Sequence, residues 1–113
     1  MPAKLDDVFH ALADPTRRRM VDLMLRRPMS VTDFSPYFRM SLPAVSKHLR
    51  VLEKSGLVRR HRMGRVHMLH FQPEPLTRAR LWLELHEAFW NRNLDSLEHY
   101  LQEQVPQQKQ NKE

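Results

Sequence analysis

Leu5, Val8, Phe9 and Leu12 recur at helical spacing, which predicts a short first helix over residues 4–12, ended by Ala13. Asp14-Pro15 starts the next one: the carboxylate accepts the orphan N–H groups of a first turn, and Pro15 at the first helical position forfeits no hydrogen bond. Met20, Val21, Leu23, Met24 and Leu25 carry this second helix to about Arg26, and Pro28 closes it by biasing Arg27 away from helical torsions. Ser30-Val31-Thr32-Asp33 has the form of a capping box and opens a third helix toward Phe38. Pro36 makes that helix short, kinked or restarted at Ser35-Pro36, because an interior proline removes a hydrogen bond and crowds the preceding turn.

A fourth helix is expected over about 41–55, with Pro43 in its first turn and Gly56 in the left-handed position after its last. Leu42, Val45, Leu49 and Leu52 form its core stripe, leaving a small, polar and basic face of Pro43, Ala44, Lys47 and Arg50 with Ser46 at the border. Residues 57–61 and 66–71 read as two strands around the loop Arg62-Met63-Gly64-Arg65, within a hairpin spanning about 57–71. From about 75 to 104 the apolar pattern runs without internal Gly or Pro, roughly 45 Å as a helix. Trp90, Leu94, Leu97 and Leu101 continue one stripe, and Leu81, Trp82, Leu85, Phe89 and Tyr100 make a second apolar side. Two apolar sides need two partners, and the simplest second partner is another copy of the chain, with Trp90, Leu94, Leu97 and Leu101 at the seam. Residues 105–113 form a polar tail behind a single domain over 1–104.

Composition narrows the class. The chain has 113 residues, 41% apolar and 28% charged, so one modest domain is expected, without room for a separate catalytic module. No apolar run approaches the length of a membrane span, and Met1-Pro2-Ala3-Lys4 lacks the apolar core of a secretory signal, so a cytoplasmic location is the default. Zero cysteine excludes disulfides, thiolate metal sites and cysteine nucleophiles. With glycine only at 56 and 64 there is no phosphate-cradling loop, and no Ser/His/acid set that a fold this small could enclose, so no enzyme and no cofactor are expected.

The formal charge of +6 is unevenly placed. Residues 1–38 carry a net +1 and residues 73–113 a net −2, whereas residues 39–72 set Arg39, Lys47, Arg50, Lys54, Arg59, Arg60, Arg62 and Arg65 against the single acid Glu53. An excess of this kind is the footprint of a polyanion. A short helix, the turn Arg39-Met40-Ser41-Leu42, a second helix and a basic hairpin together describe a winged helix-turn-helix, mainly α with a small β-hairpin in the order α-α-α-α-β-β-α. Arg62 and Arg65 at the hairpin tip suit phosphate or minor-groove contact, while strand alternation sends Arg59 and Arg60 to opposite faces. Arg17, Arg18 and Arg19 read as helix-surface charge rather than DNA ligands.

Ala11-Leu12-Ala13-Asp14-Pro15-Thr16-Arg17-Arg18, Ser41-Leu42-Pro43-Ala44-Val45-Ser46-Lys47-His48-Leu49-Arg50-Val51-Leu52 and Ser55-Gly56-Leu57-Val58 stand in the order and spacing of three signatures of the ArsR/SmtB repressors. Over about residues 5–104 the chain resembles that family. The resemblance implies a homodimer joined through its terminal helices on a double-stranded operator, with Ser41, Pro43, Ser46 and Lys47 at the groove surface and Ala44, His48 and Arg50 close by. Ser41 is equally suited to be purely an N-cap, and His48 to be a packing residue.

Many members of that family sense metal. Here the thiolate route is absent, Glu84-x-His86 resembles half of a carboxylate–imidazole site on the last helix, and Glu98-His99 lies near the other half, but Leu97 and Tyr100 stand where the second pair is due. No metal site is therefore assigned. His61, His67 and His70 read as surface histidines, and Trp82, Phe89 and Trp90 as core or dimer contacts rather than an effector pocket. The leading reading is a dimeric repressor on an inverted-repeat operator, with room left for a small-molecule inducer. The alternatives are a zinc-responsive repressor using Glu and His of the last helix, and a winged-helix protein-interaction module.

Overall fold

The computed structural model describes residues 4–104, so the polar tail expected at 105–113 lies outside the described residues. The chain divides into two units, Met1–Ala79 and Arg80–Glu113. The first contains helix α1 (Leu5–Leu12), helix α2 (Pro15–Met24), the short strand β1 (Met29–Ser30), a 3-10 helix (Thr32–Tyr37), helix α3 (Leu42–Lys54) and the strands β2 (Val58–Met63) and β3 (Val66–Phe71). Helix α4 (Glu74–Gln104) begins in the first unit, where its Pro75 and Ala79 are buried, and makes up the described part of the second.

The first unit is built on one apolar cluster. Val8 and Ala11 of α1, Met20, Val21 and Met24 of α2, Phe34 of the 3-10 helix, Val45, Leu49 and Leu52 of α3, and Met29, Val58 and Leu69 of the sheet are all buried. Three members of the expected α3 stripe enter this core; Leu42, in the first turn, stands outside it and is exposed. α2 starts as its sequence dictates: the Asp14 side chain accepts from the Arg17 backbone N–H at 3.0 Å. At the end of α1, where four carbonyls lack helical partners, Arg17 donates to His10 O and Ala11 O and Arg18 to Leu12 O. The two arginines thus close one helix from the first turn of the next.

Two expectations are corrected. The third helix is 3-10, not α, and it is preceded by a strand that the hydrophobic pattern did not announce. The capping box itself is present, with Ser30 N–H donating to Asp33 Oδ2 at 2.9 Å and Asp33 N–H donating to Ser30 Oγ at 3.2 Å. Pro36 lies inside this helix, where its ring would press on the carbonyl four residues back in a regular α-helix. Met29 and Ser30 pair antiparallel with Leu69 and Met68, so the hairpin becomes a three-stranded sheet in the order β1-β3-β2.

The turn from α3 into β2 depends on Ser55, the one buried polar residue among those described. Its hydroxyl donates to Leu52 O at 2.6 Å and accepts from Leu57 N–H at 3.2 Å, and Gly56 follows with φ 81°. This turn aims β2 back along α3.

Candidate nucleic-acid interface

Helix α3 presents three different sides. Val45, Leu49 and Leu52 are buried; Pro43, Lys47, Arg50 and Lys54 are exposed at intervals of four, three and four, on the opposite side. Between them, Ala44, His48 and Val51 form one half-buried flank and Ser46 and Glu53 the other. Ser41 caps the helix, its Oγ accepting from the Ala44 backbone N–H at 3.3 Å, and Pro43 occupies the first turn without loss. Ser41, Pro43, Ala44 and Ser46 make the N-terminal end of the helix mostly small, with Leu42 exposed beside them.

Strand alternation sorts the hairpin as expected. Val58, Arg60 and Arg62 lie opposite Phe71, Leu69 and His67 on one face, and Arg59 and His61 opposite His70 and Met68 on the other. Arg60 turns toward α3 and makes a two-point ion pair with Glu53, Nε to Oε1 at 2.8 Å and Nη2 to Oε2 at 3.0 Å. The Glu53 hydrogen bond raises the Arg60 pKa above its ordinary value, and the two-point geometry commits this guanidinium to Glu53. The only acid of the basic segment is thereby consumed internally. Gly64, φ 66°, and Arg65 make the two-residue turn between Met63 and Val66, with glycine first as a type II′ turn requires. Arg62 Nε donates to Gly64 O at 3.0 Å, which braces the tip beside the exposed Arg65.

Not every residue singled out from sequence faces the same way. Pro43, Lys47 and Arg50 share the exposed side of α3, and Arg62 and Arg65 share the hairpin tip; Ala44 and Ser46 sit on opposite flanks of the helix. His48 turns inward to α2, its Nδ1 3.3 Å from Arg17 Nη1 and 3.9 Å from Asp14 Oδ2. Asp14 has its pKa lowered, chiefly by the Arg17 backbone N–H; burial opposes this as the next largest effect, and the Arg17 guanidinium adds to the lowering. Arg19 lies over the Phe38 ring at 5.9 Å, so of the three arginines of α2 it is the one engaged by an aromatic face. Lys54, named above only for its charge, shares the exposed side with Lys47, seven residues before it.

On α4, Glu84 pairs with Arg80 at 2.9 Å, His86 stacks on Trp82 at 3.9 Å between ring centroids, and His99 Nε2 lies 3.0 Å from Glu103. Each group thus has a neighbour on its own helix. No set of three or more His, Asp or Glu able to hold a metal ion occurs among the described residues. Trp82, Phe89 and Trp90 are exposed in the single chain, as are Leu94, Leu97 and Leu101, so none of them is core.

The model of the arsR family of bacterial regulatory proteins matches residues 14–60, from the cap of α2 through α3 into β2. The transcriptional repressor SdpR of Bacillus subtilis is 37% identical over 60 residues, 53% of this chain and 67% of that protein. A crystal structure of an ArsR family transcriptional regulator superposes with a TM-score of 0.73 at 37% identity, covering 80% of this chain and 97% of the other. This chain belongs to the ArsR family. The homodimeric winged helix-turn-helix DNA-binding domain of a Mycobacterium bovis protein is also similar, with a TM-score of 0.58 and 26% identity over 80% of this chain and 82% of that domain. As an ArsR-family winged helix, the chain is a DNA-binding transcriptional regulator and not an enzyme. No described helix is long and apolar enough to cross a membrane.

Proposed function

We propose that this ArsR-family protein is a homodimeric repressor that occupies an inverted-repeat operator, works in the cytoplasm and acts by blocking access to the promoter. The observation that carries the reading is the exposed row of Pro43, Lys47, Arg50 and Lys54 on α3, on a helix whose one acid, Glu53, is held by Arg60 of the hairpin. Lys47 and Arg50 reach base edges or phosphates in the major groove, Pro43 and Ala44 meet thymine methyls, and Ser46 bonds a base edge or phosphate. Ser41 contributes chiefly as the cap. Arg62 and Arg65 hold the backbone or minor groove at the hairpin.

Dimerisation is supported by the exposed stripe of Trp90, Leu94, Leu97 and Leu101, and by the homodimeric state of the similar Mycobacterium bovis domain. Two copies then present their α3 helices to successive major grooves about 34–36 Å apart. The test is selection of bound duplexes from a random pool, run with and without zinc, followed by a salt titration. A palindromic consensus is expected, with affinity falling roughly 10³–10⁵-fold between 50 and 200 mM salt for six to ten phosphate contacts. A flat salt response, or no enrichment, overturns the reading; enrichment that changes with zinc would place a metal among its inducers.

A further inference from the structure

Arg17 is held on three sides. Its Nε donates to Ala11 O at 2.8 Å and its Nη2 to His10 O at 3.0 Å, so the end of α1 sets the plane of the guanidinium, and the remaining nitrogen, Nη1, meets His48 Nδ1 at 3.3 Å. A guanidinium has donors only. His48 Nδ1 must therefore be the acceptor, and in the neutral ring the proton stands on Nε2. The rival partner, Asp14, would favour a proton on Nδ1, but its Oδ2 lies 3.9 Å away, beyond hydrogen-bond reach, and already accepts the Arg17 backbone N–H. The other edge of the ring meets no described partner. The His48 side chain is 25% exposed, and Nε2 is neither bonded to a described group nor among the enclosed unpaired atoms.

We propose that Arg17 is a positioning residue of the DNA-reading helix, holding His48 as a fixed Nε2–H donor for a phosphate oxygen at the rim of the groove. The proposal rests on the DNA-binding function above. His48 stands on the flank of α3 beside Lys47, not at the centre of the exposed row, which suits a backbone contact that sets register better than a contact to a base edge. A phosphate oxygen only accepts. A ring free to exchange tautomers would oppose lone pair to lone pair for part of the time, and the fixed tautomer removes that loss.

The ring is examined before the DNA. Long-range ¹H–¹⁵N correlation spectra of the full chain, which distinguish the neutral tautomers from the doubly protonated ring, should show His48 as the Nε2–H tautomer. An Nδ1–H ring overturns the proposal. Arg17→Met, which keeps the stem and loses the donors, should mix the tautomers and weaken binding to a duplex selected by the wild type about three- to tenfold, the worth of a hydrogen bond. His48→Gln places an amide N–H near the position of Nε2–H without needing Arg17, so in that background Arg17→Met should change affinity by less than about twofold. Equal losses in the two backgrounds mean that Arg17 acts on the fold alone, and overturn the proposal. Should Arg17→Met not fold, His48→Gln is compared with His48→Asn, whose shorter amide reaches only the position of Nδ1. Gln is expected to retain binding and Asn to lose it, and the reverse order overturns the contact. A chain that selects no duplex refutes the proposed function and the phosphate contact together, while the ring spectrum still judges the Arg17–His48 clamp by itself.

Discussion

Arg60 and Glu53 meet fork to fork, at 2.8 and 3.0 Å, and bind the first strand of the hairpin to the helix that carries the exposed basic row. Both side chains are less than a third exposed, at 28% and 23%, which makes this pair stronger than an ordinary surface bridge. It also sets the distance between the two surfaces that are proposed to grip DNA.

Breaking that pair should loosen the hairpin as well as lower stability. Arg60→Gln is expected to cost about 1–2 kcal/mol in urea denaturation, with the hairpin amides exchanging faster than those of α1 and α2. Arg60→Lys should recover less than half of the loss, because an ammonium cannot reproduce the two-point geometry. Full recovery by lysine would reduce the pair to simple charge.

The basic row should appear in the salt dependence of binding. If Lys47 holds a phosphate, Lys47→Ala weakens all duplexes alike and lowers the log–log salt slope by about 1; if it reads a base, it costs about 1–3 kcal/mol and relaxes the consensus at one position. Lys54→Ala, on the same exposed side, should lower the slope without altering the consensus. Wild-type slopes in both variants would remove the row from the interface.

Acid should weaken the start of α2. The Asp14 carboxylate is stabilised by the Arg17 backbone N–H, so its folded pKa lies below its unfolded one, and the stability it contributes is present above the ordinary carboxylate value. That contribution fades as pH falls from about 5 through the folded value. Asp14→Asn keeps a capping acceptor and should flatten the acid limb of a stability–pH curve, whereas Asp14→Ala should cost about 1 kcal/mol at neutral pH. Asp33, lowered by the Ser30 hydrogen bonds, contributes a separate part of the same limb, which Asp33→Asn would remove. An acid limb unchanged by Asp14→Asn would show that the cap does not titrate with folding.

The apolar side of α4 should decide the oligomer. Leu97 is 54% exposed and outside the core cluster, so Leu97→Glu should leave the winged-helix unit folded while placing a carboxylate in each copy's seam. Sedimentation is expected to show a dimer for the wild type and a monomer for the variant, with dissociation strengthened at least about 100-fold. A dimeric variant would move the seam elsewhere.

Much of this protein was legible in local chemistry. Asp14-Pro15, Ser41 with Pro43, and Ser55-Gly56 mark helix ends because capping and φ restrictions act within a few residues, and the structure places helix boundaries at each of them. The exposed positions of α3 followed from its period of 3.6, and the sides of the hairpin from its period of 2. β1 was not legible, since two residues carry no period and Met29 and Ser30 become a strand only because β3 offers them an edge. The 3-10 form of Thr32–Tyr37 was half legible: Pro36 argued against a regular α-helix, while the burial of Phe34 in the core is a tertiary fact.

The candidate site divides in the same way. Charge and helical spacing along the chain determined which residues could meet DNA, because both are properties of residues close in sequence. Which of them are free to do so was decided by tertiary structure alone. Arg60 is withdrawn by Glu53, seven residues away, and Arg17 is turned onto His48, thirty-one residues away, by carbonyls of α1. Such pairings depend on where the folded backbone sets each side chain, and no local rule of spacing or propensity contains that information.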